Sequence, residues 1–315
     1  MHYRTLGRTG LKVSLLSLGT GGTRSMGQKQ GLTQQDQDML VRRSLDLGIN
    51  LFDTSPAYGR SEEILGQALT DVPRDTYILT TKCPLKKDDR PVEDVQTVYD
   101  HVEASLRRLG TDCIDIMLFH GMSPLEAYQN VVDRLYPGME RLREQGKIRF
   151  IGFSEPFSSD PGHEAALTGL RTHPAMWDVI MLKYGILNQI AAKEALMLAR
   201  EHDVGIMNMA AVRVKLPDPA LLEELIVSWK ARREIPEDSL PVRNPLGWLV
   251  HGDVDSVISA AYKFAADHPA IATVLTGTAT IAHLEQNASA LDAPALPEAD
   301  KDRLINLFGD IVEYA

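Results

Sequence analysis

Residues 49–59 read Ile49-Asn50-Leu51-Phe52-Asp53-Thr54-Ser55-Pro56-Ala57-Tyr58-Gly59, followed after one residue by Ser61-Glu62. An apolar run ends in an acidic residue. Five positions on, a tyrosine stands in a turn before a helical pattern. Strand, loop and helix make the unit of an α/β fold, and the same unit recurs along the chain. Short apolar runs occupy 15–19, 49–52, 77–82, 113–119, 148–153, 177–182, 204–209 and 271–276. Helical periodicity fills 33–47, 61–69, 92–109, 124–145, 163–170, 189–202 and 280–291. Thr33 with Asp36 makes a helix start, and Gly48, Gly110 and Gly146 stand where helices terminate. Eight strands alternating with helices in 315 residues predict an α/β fold: one (β/α)8 barrel domain over residues 1–315.

Two segments add to the repeat. Residues 3–14 read as an N-terminal β-hairpin turning at Arg8-Thr9-Gly10. Residues 211–269 form a long insertion after the seventh strand, with helical stretches at 219–233 and 245–268. In a barrel such an insertion is expected on the catalytic face, as a lid or cofactor clamp. The competing reading is a doubly wound dinucleotide sheet, because Gly19-Thr20-Gly21-Gly22 follows an apolar run. Arg24 takes the place of the third glycine and polar residues 25–31 precede any helix, which favours the barrel.

The formal net charge of −10 argues against general binding to nucleic acid or anionic lipid. No run of about 18 apolar residues occurs and the first residues lack a signal-peptide core, so a cytoplasmic protein without a membrane span is expected. Cys83 and Cys113 are too few for a disulfide framework or a Cys-based zinc site, and His101, His163, His173 and His202 lack ligand spacing, so no metal is expected.

Lys82 ends the third strand and His120 the fourth, so Asp53, Lys82 and His120 sit on one rim with Tyr58 above them. A free phenol, with a pKa near ~10, transfers protons poorly at neutral pH. A neighbouring ammonium lowers that pKa, and a carboxylate keeps the lysine charged and oriented. A histidine there can donate to a carbonyl or alkoxide oxygen. None of these groups supplies a hydride, so redox chemistry here implies a nicotinamide cofactor.

The stretches FDTSPAYG (52–59), TTK (80–82) and FH (119–120) resemble the signature of the aldo-keto reductase family. The opening 4–22, residues 138–155 and residues 274–291 extend the resemblance along nearly the whole chain, nearest in appearance to the aldose 1-dehydrogenase branch. It implies a (β/α)8 barrel that binds extended NAD(P)H without a dinucleotide-binding sheet. Tyr58 is then the proton donor or acceptor, Lys82 and Asp53 its tuning pair, and His120 the substrate-orienting group. Cofactor contacts implied are Gly19, Thr20, Gly21 and Asp53 beside the nicotinamide. Ser154, with Glu155 in place of the family's Asn and Lys183 in place of its Gln, falls at the carboxamide. Met209 stands where an aromatic often stacks, and residues 210–212 replace Ser-Pro-Leu. Arg213 and Lys215 either meet the diphosphate or are solvated loop charges.

Gly277 and the helix start after it suit a phosphate, with Thr278, Thr280 and His283 near the ribose and Glu285 and Asn287 on the adenine side. Ala279 replaces the Arg of NADPH-preferring relatives, so NAD is favoured over NADP. Glu155 and Lys183 are expected to pair and hold the carboxamide between them. The reaction expected interconverts a small carbonyl or sugar lactone with an alcohol or aldose. The alternatives are a general NADPH-dependent aldehyde reductase and a nucleotide-sensing regulatory protein on the same barrel.

Overall fold

Eight parallel strands close on themselves in the computed structural model of the chain, which describes residues 1–87, 90–123, 128–156 and 158–312. A hairpin of β1 (Tyr3–Thr5) and β2 (Lys12–Ser14) precedes them, turning through a tight helical turn at Gly7–Thr9 that ends on left-handed Gly10. The barrel then runs through β3 (Leu16–Gly19), β4 (Leu51–Asp53) and β5 (Ile78–Pro84). After a two-residue hairpin of β6 (Lys86–Lys87) and β7 (Arg90–Pro91), it continues with β8 (Ile114–His120), β9 (Ile148–Ser154), β10 (Val179–Lys183), β11 (Gly205–Met209) and β12 (Ile271–Thr276). Strands buried on both faces read as continuous apolar runs rather than alternating ones, as these do. Leu6 and Val13 of the hairpin pack with Leu51, Ile78, Ile116, Met181 and Met207 in the inner layer, while the larger core lies between strands and helices. Gly152 is demanded by this closure: a Cβ there would lie 1.9 Å from the carbonyl carbon's oxygen of Val179 on β10.

Helix starts follow the cap chemistry. The Thr33 side chain accepts from the Asp36 amide and Asp36 reaches back to Thr33, opening the helix Gln34–Asp46. The pattern at 124–145 begins outside the described residues at 124–127; its described part is helical from Tyr128 to Glu144, with a wide turn at Val131–Leu135. Pro137 follows that turn, and having no N–H it cannot complete the regular ladder.

The segment after β11 differs from its expected layout. Pro219–Ala231 is helical, capped by Asp218. The expected helix 245–268 is broken into a single turn, Gly247–Leu249, and the helix Val257–Asp267, with left-handed Gly252 between them. Val257–Asp267 packs on β12 and on the helix Ile281–Asp292, which makes it the barrel's own helix and confines the inserted segment to 210–256. The helix Pro219–Ala231 lays Trp229 against Phe308, ring centroids 5.2 Å apart, at the end of a C-terminal helix, Glu298–Phe308, that periodicity left undelimited. Among the described residues no helix is long and apolar enough to cross a membrane.

Candidate active site

Register decides which side chains meet. Gly19 lies opposite Asp53, Asp53 opposite Thr80, and Pro84 opposite His120, so the C-terminal ends of β3, β4, β5 and β8 share one rim. Lys82 Nζ donates to Asp53 Oδ1 at 2.6 Å and to the Thr54 carbonyl at 2.9 Å, with both charged side chains buried. The ammonium stands 4.9 Å from the Tyr58 ring centroid. The His120 ring meets Tyr58 edge-on, centroids 5.8 Å apart at 89°. The four residues read from the sequence are therefore brought together: a buried ion pair beneath two half-buried rings.

Burial raises the Tyr58 phenol above its ordinary value, the Lys82 charge pulls it down, and Asp53 adds to the rise. Lys82 acts in the expected direction, but loss of solvent outweighs it, so the net shift is upward and the expected lowering is corrected. At Lys82 burial works against the ammonium, yet attraction to Asp53 and Tyr58 prevails and holds it above its ordinary value. Burial, aided by the Lys82 charge, pushes His120 down to about 3, so the ring is neutral at physiological pH.

Two residues that sequence reasoning passed over hold these groups. Gln28 donates to the Tyr58 carbonyl at 3.1 Å and to Ser61 Oγ at 2.8 Å, tying the segment after β3 to the tyrosine's turn. Ser55 Oγ lies 3.2 Å from His120 Nδ1. Gly21 supports the tyrosine from below, since a Cβ there would stand 2.6 Å from its ring. Only the position of Ser55 inside the FDTSPAYG stretch hinted at a role; Gln28 carries no local signal.

The cofactor side is partly assembled. A Cβ on Gly277 would lie 3.7–3.8 Å from the Gly21 and Gly19 carbonyls, so the ends of β3 and β12 form one backbone cradle. Thr20 is fully buried and its hydroxyl has no hydrogen-bond partner, nor does the Glu155 Oε1 atom. Ser154 Oγ accepts from the Gly121 amide at 3.1 Å, joining the ends of β8 and β9. Lys183 is buried beside Met209 in register. The helix Ile281–Asp292 presents its N-terminus beyond Gly277 with no acidic residue in its first turn. A glycine cradle, a helix N-terminus with no acidic residue in its first turn and buried polar atoms without hydrogen-bond partners fit a nicotinamide nucleotide.

Other expectations change. Glu155 pairs with His163 Nδ1 at 2.7 Å rather than with Lys183. The reason is the chain's path: the segment after β9 folds back so that His163, in left-handed conformation (φ 60°), opens the helix Glu164–Thr172 beside Glu155. Burial raises the Glu155 carboxyl and His163 opposes the rise. Asn287 donates to Thr276 Oγ1 at 2.9 Å, and Glu285 pairs with Arg43 at 2.7 Å, so both are engaged within the fold. Thr278 and Thr280 make local turn bonds, Thr280 capping the helix through the His283 amide, while the His283 side chain is exposed. Arg213 is part-buried and its guanidinium lowered to about 10 by loss of solvent; Lys215 is part-exposed nearby in sequence.

Residues 17–306 match the Aldo/keto reductase family. An L-galactose dehydrogenase of Arabidopsis thaliana is 29% identical over 311 residues, covering 92% of this chain and 88% of that protein. An NADH-specific methylglyoxal reductase of Escherichia coli is 32% identical over 218 residues, 63% of this chain and 64% of that one. The holo form of an aldo-keto reductase from Bacillus halodurans covers 99% of this chain and 98% of its own at a TM-score of 0.76 and 24% identity, a likeness of fold.

Proposed function

The chain belongs to the aldo/keto reductase family, and on that premise we propose that Tyr58, Lys82, Asp53 and His120 carry a hydride transfer whose favoured substrate is an aldose oxidised at C1. The protein is an NAD(P)-dependent oxidoreductase acting on a small carbonyl or sugar. The observation that carries the assignment of roles is the buried Lys82–Asp53 pair, 2.6 Å apart, set beneath Tyr58.

When bound, the nicotinamide supplies or accepts the hydride, which no side chain can do. Tyr58 gives its proton to the substrate oxygen in reduction and takes it in oxidation. Lys82 steadies the phenolate left behind, and Asp53 keeps Lys82 charged. Neutral His120 donates a hydrogen bond to the same oxygen and orients the reacting carbon.

Gly19, Thr20, Gly21 and Gly277 would hold the nucleotide's backbone-facing parts, with Thr278, Thr280 and His283 beside the ribose and Arg213 and Lys215 toward the diphosphate. Ser154, Glu155 and Lys183 would hold the carboxamide, with Met209 against the ring. Ala279 offers no cation to a 2′-phosphate, which supports NAD over NADP. The names of the plant and bacterial relatives, a sugar dehydrogenase and an NADH-specific reductase, support the same choices. Two free cysteines, Cys83 and Cys113, suit a reducing, cytoplasmic setting. We take residues 1–315 as one domain.

The test titrates NADH and NADPH fluorescence on the apo protein, then screens aldoses and small aldehydes for turnover. Tyr58→Phe should lower turnover by about 10²–10⁴-fold at unchanged nucleotide affinity; near-normal turnover would remove Tyr58 from its role. Fast NADPH-dependent aldehyde reduction would favour a general reductase, and tight nucleotide binding without turnover a regulatory protein.

A further inference from the structure

His120 has two ring nitrogens, and when neutral it carries a proton on one of them. Its Nδ1 lies 3.2 Å from the hydroxyl of Ser55, a residue with no exposed surface. The same oxygen accepts the backbone N–H of Ala57 at 3.1 Å. Among the described residues these are the two partners of that hydroxyl. One lone pair is thus occupied by the Ala57 amide, and the O–H proton requires an acceptor. Nδ1 is the acceptor in reach. If Nδ1 carried the ring proton instead, the serine oxygen would accept from both Nδ1–H and the Ala57 amide, and its own proton would be left without a partner in a buried place, which is costly.

We propose that Ser55 selects the tautomer of His120, holding Nδ1 as an acceptor so that Nε2 carries the proton. Resting on the reading of His120 as the substrate-orienting group, this assigns Ser55 a positioning role. The Tyr58 O–H and the His120 Nε2–H then form two donors on one oxygen, from rings 5.8 Å apart and nearly perpendicular. The opposite tautomer would turn an Nε2 lone pair toward the substrate oxygen and repel it. Burial and the Lys82 charge keep the ring neutral, so the choice of tautomer matters at working pH.

The experiment labels the histidine rings with ¹⁵N in the apo protein and reads the long-range ¹⁵N–¹H correlations that distinguish the tautomers. His120 is assigned among the nine histidines by its loss in His120→Asn. The expected result is an Nε2–H pattern in the wild type, a shift to Nδ1–H or to exchange between the two in Ser55→Ala, and retention of Nε2–H in Ser55→Thr. An Nδ1–H wild type, or an unchanged Nε2–H pattern in Ser55→Ala, overturns the proposal. Should Ser55→Ala not fold, the wild-type and Ser55→Thr spectra decide in the same way. In turnover, Ser55→Ala should lose about tenfold in kcat/KM with nucleotide affinity within about twofold, and Ser55→Thr should recover most of it. A tautomer shift without loss of kcat/KM would overturn the role of His120 in the reaction while leaving the control by Ser55 standing, so the two readings fail separately.

Discussion

Replacing Asp53 by Asn keeps the shape of the side chain but removes the charge that faces Lys82 at 2.6 Å. The ammonium is then left 1% exposed, facing neutral acceptors in place of an opposite charge: the amide oxygen at position 53, the Thr54 carbonyl and the Tyr58 hydroxyl. Breaking a buried pair from one side costs about 3–5 kcal/mol. At roughly 2 °C per kcal/mol for a chain above 250 residues, Tm should fall by about 6–10 °C. Burial is the largest influence on Lys82 and acts to lower it, so without Asp53 the lysine moves toward neutrality and its support for the Tyr58 phenolate weakens. Turnover should fall with stability. Asp53→Asn combined with Lys82→Met separates the two effects. Removing both charges is close to neutral for stability, apart from about 1–3 kcal/mol for the Thr54 carbonyl left without its donor. The double variant should therefore regain about 2 kcal/mol, roughly half of the lost stability, while its turnover stays low. Thermal unfolding followed by circular dichroism, with NADH-coupled turnover on the same samples, reads both quantities. A single variant that loses under about 1 kcal/mol, or a double variant less stable than either single one, would falsify the account of this pair. The pH sign follows from Lys82: its folded value is raised, so its contribution is complete below the unfolded lysine value and is lost as pH rises through the folded one. Stability from Lys82 should therefore decline only in alkali, whereas the Asp53 carboxyl, raised by burial against the pull of Lys82, loses its share as pH rises from its unfolded to its folded value.

Oxidation needs the Tyr58 phenolate, and the phenol is raised, so the oxidation rate should climb with pH to the limit of stability while reduction stays level through neutrality. With His120 pushed down to about 3, no limb near pH 6.5 belongs to it; a limb there abolished by His120→Asn would refute this. Ala279→Arg should shift preference toward NADP(H), and a native NADP(H) preference of about 100-fold, roughly 2.7 kcal/mol, would point to another anchor. On nucleotide affinity, Glu155→Gln and His163→Asn should be coupled by more than about 0.5 kcal/mol, whereas Glu155 and Lys183 should add within about 0.3 kcal/mol; the reverse pattern would restore the Glu155–Lys183 pair.

Much of the architecture was legible because its signals are local. Apolar runs at a barrel's spacing, the Thr33–Asp36 cap and terminating glycines act within a few residues of themselves, and so they marked the eight strands and most helices before any packing was known. The ends of three of those strands also named Asp53, Lys82 and His120 as neighbours, since parallel barrel strands must finish on one rim. Other features hang on contacts between distant residues. Whether 245–268 is one helix depended on Gly252 and on which part could pack against β12. The partner of Glu155 depended on a segment folding back to a left-handed His163, a path that no spacing encodes. The direction of the Tyr58 shift depended on how much solvent the surrounding side chains exclude, set against one nearby charge. Periodicity and capping are properties of the chain taken a few residues at a time, whereas desolvation and charge pairing exist only once remote segments share a space.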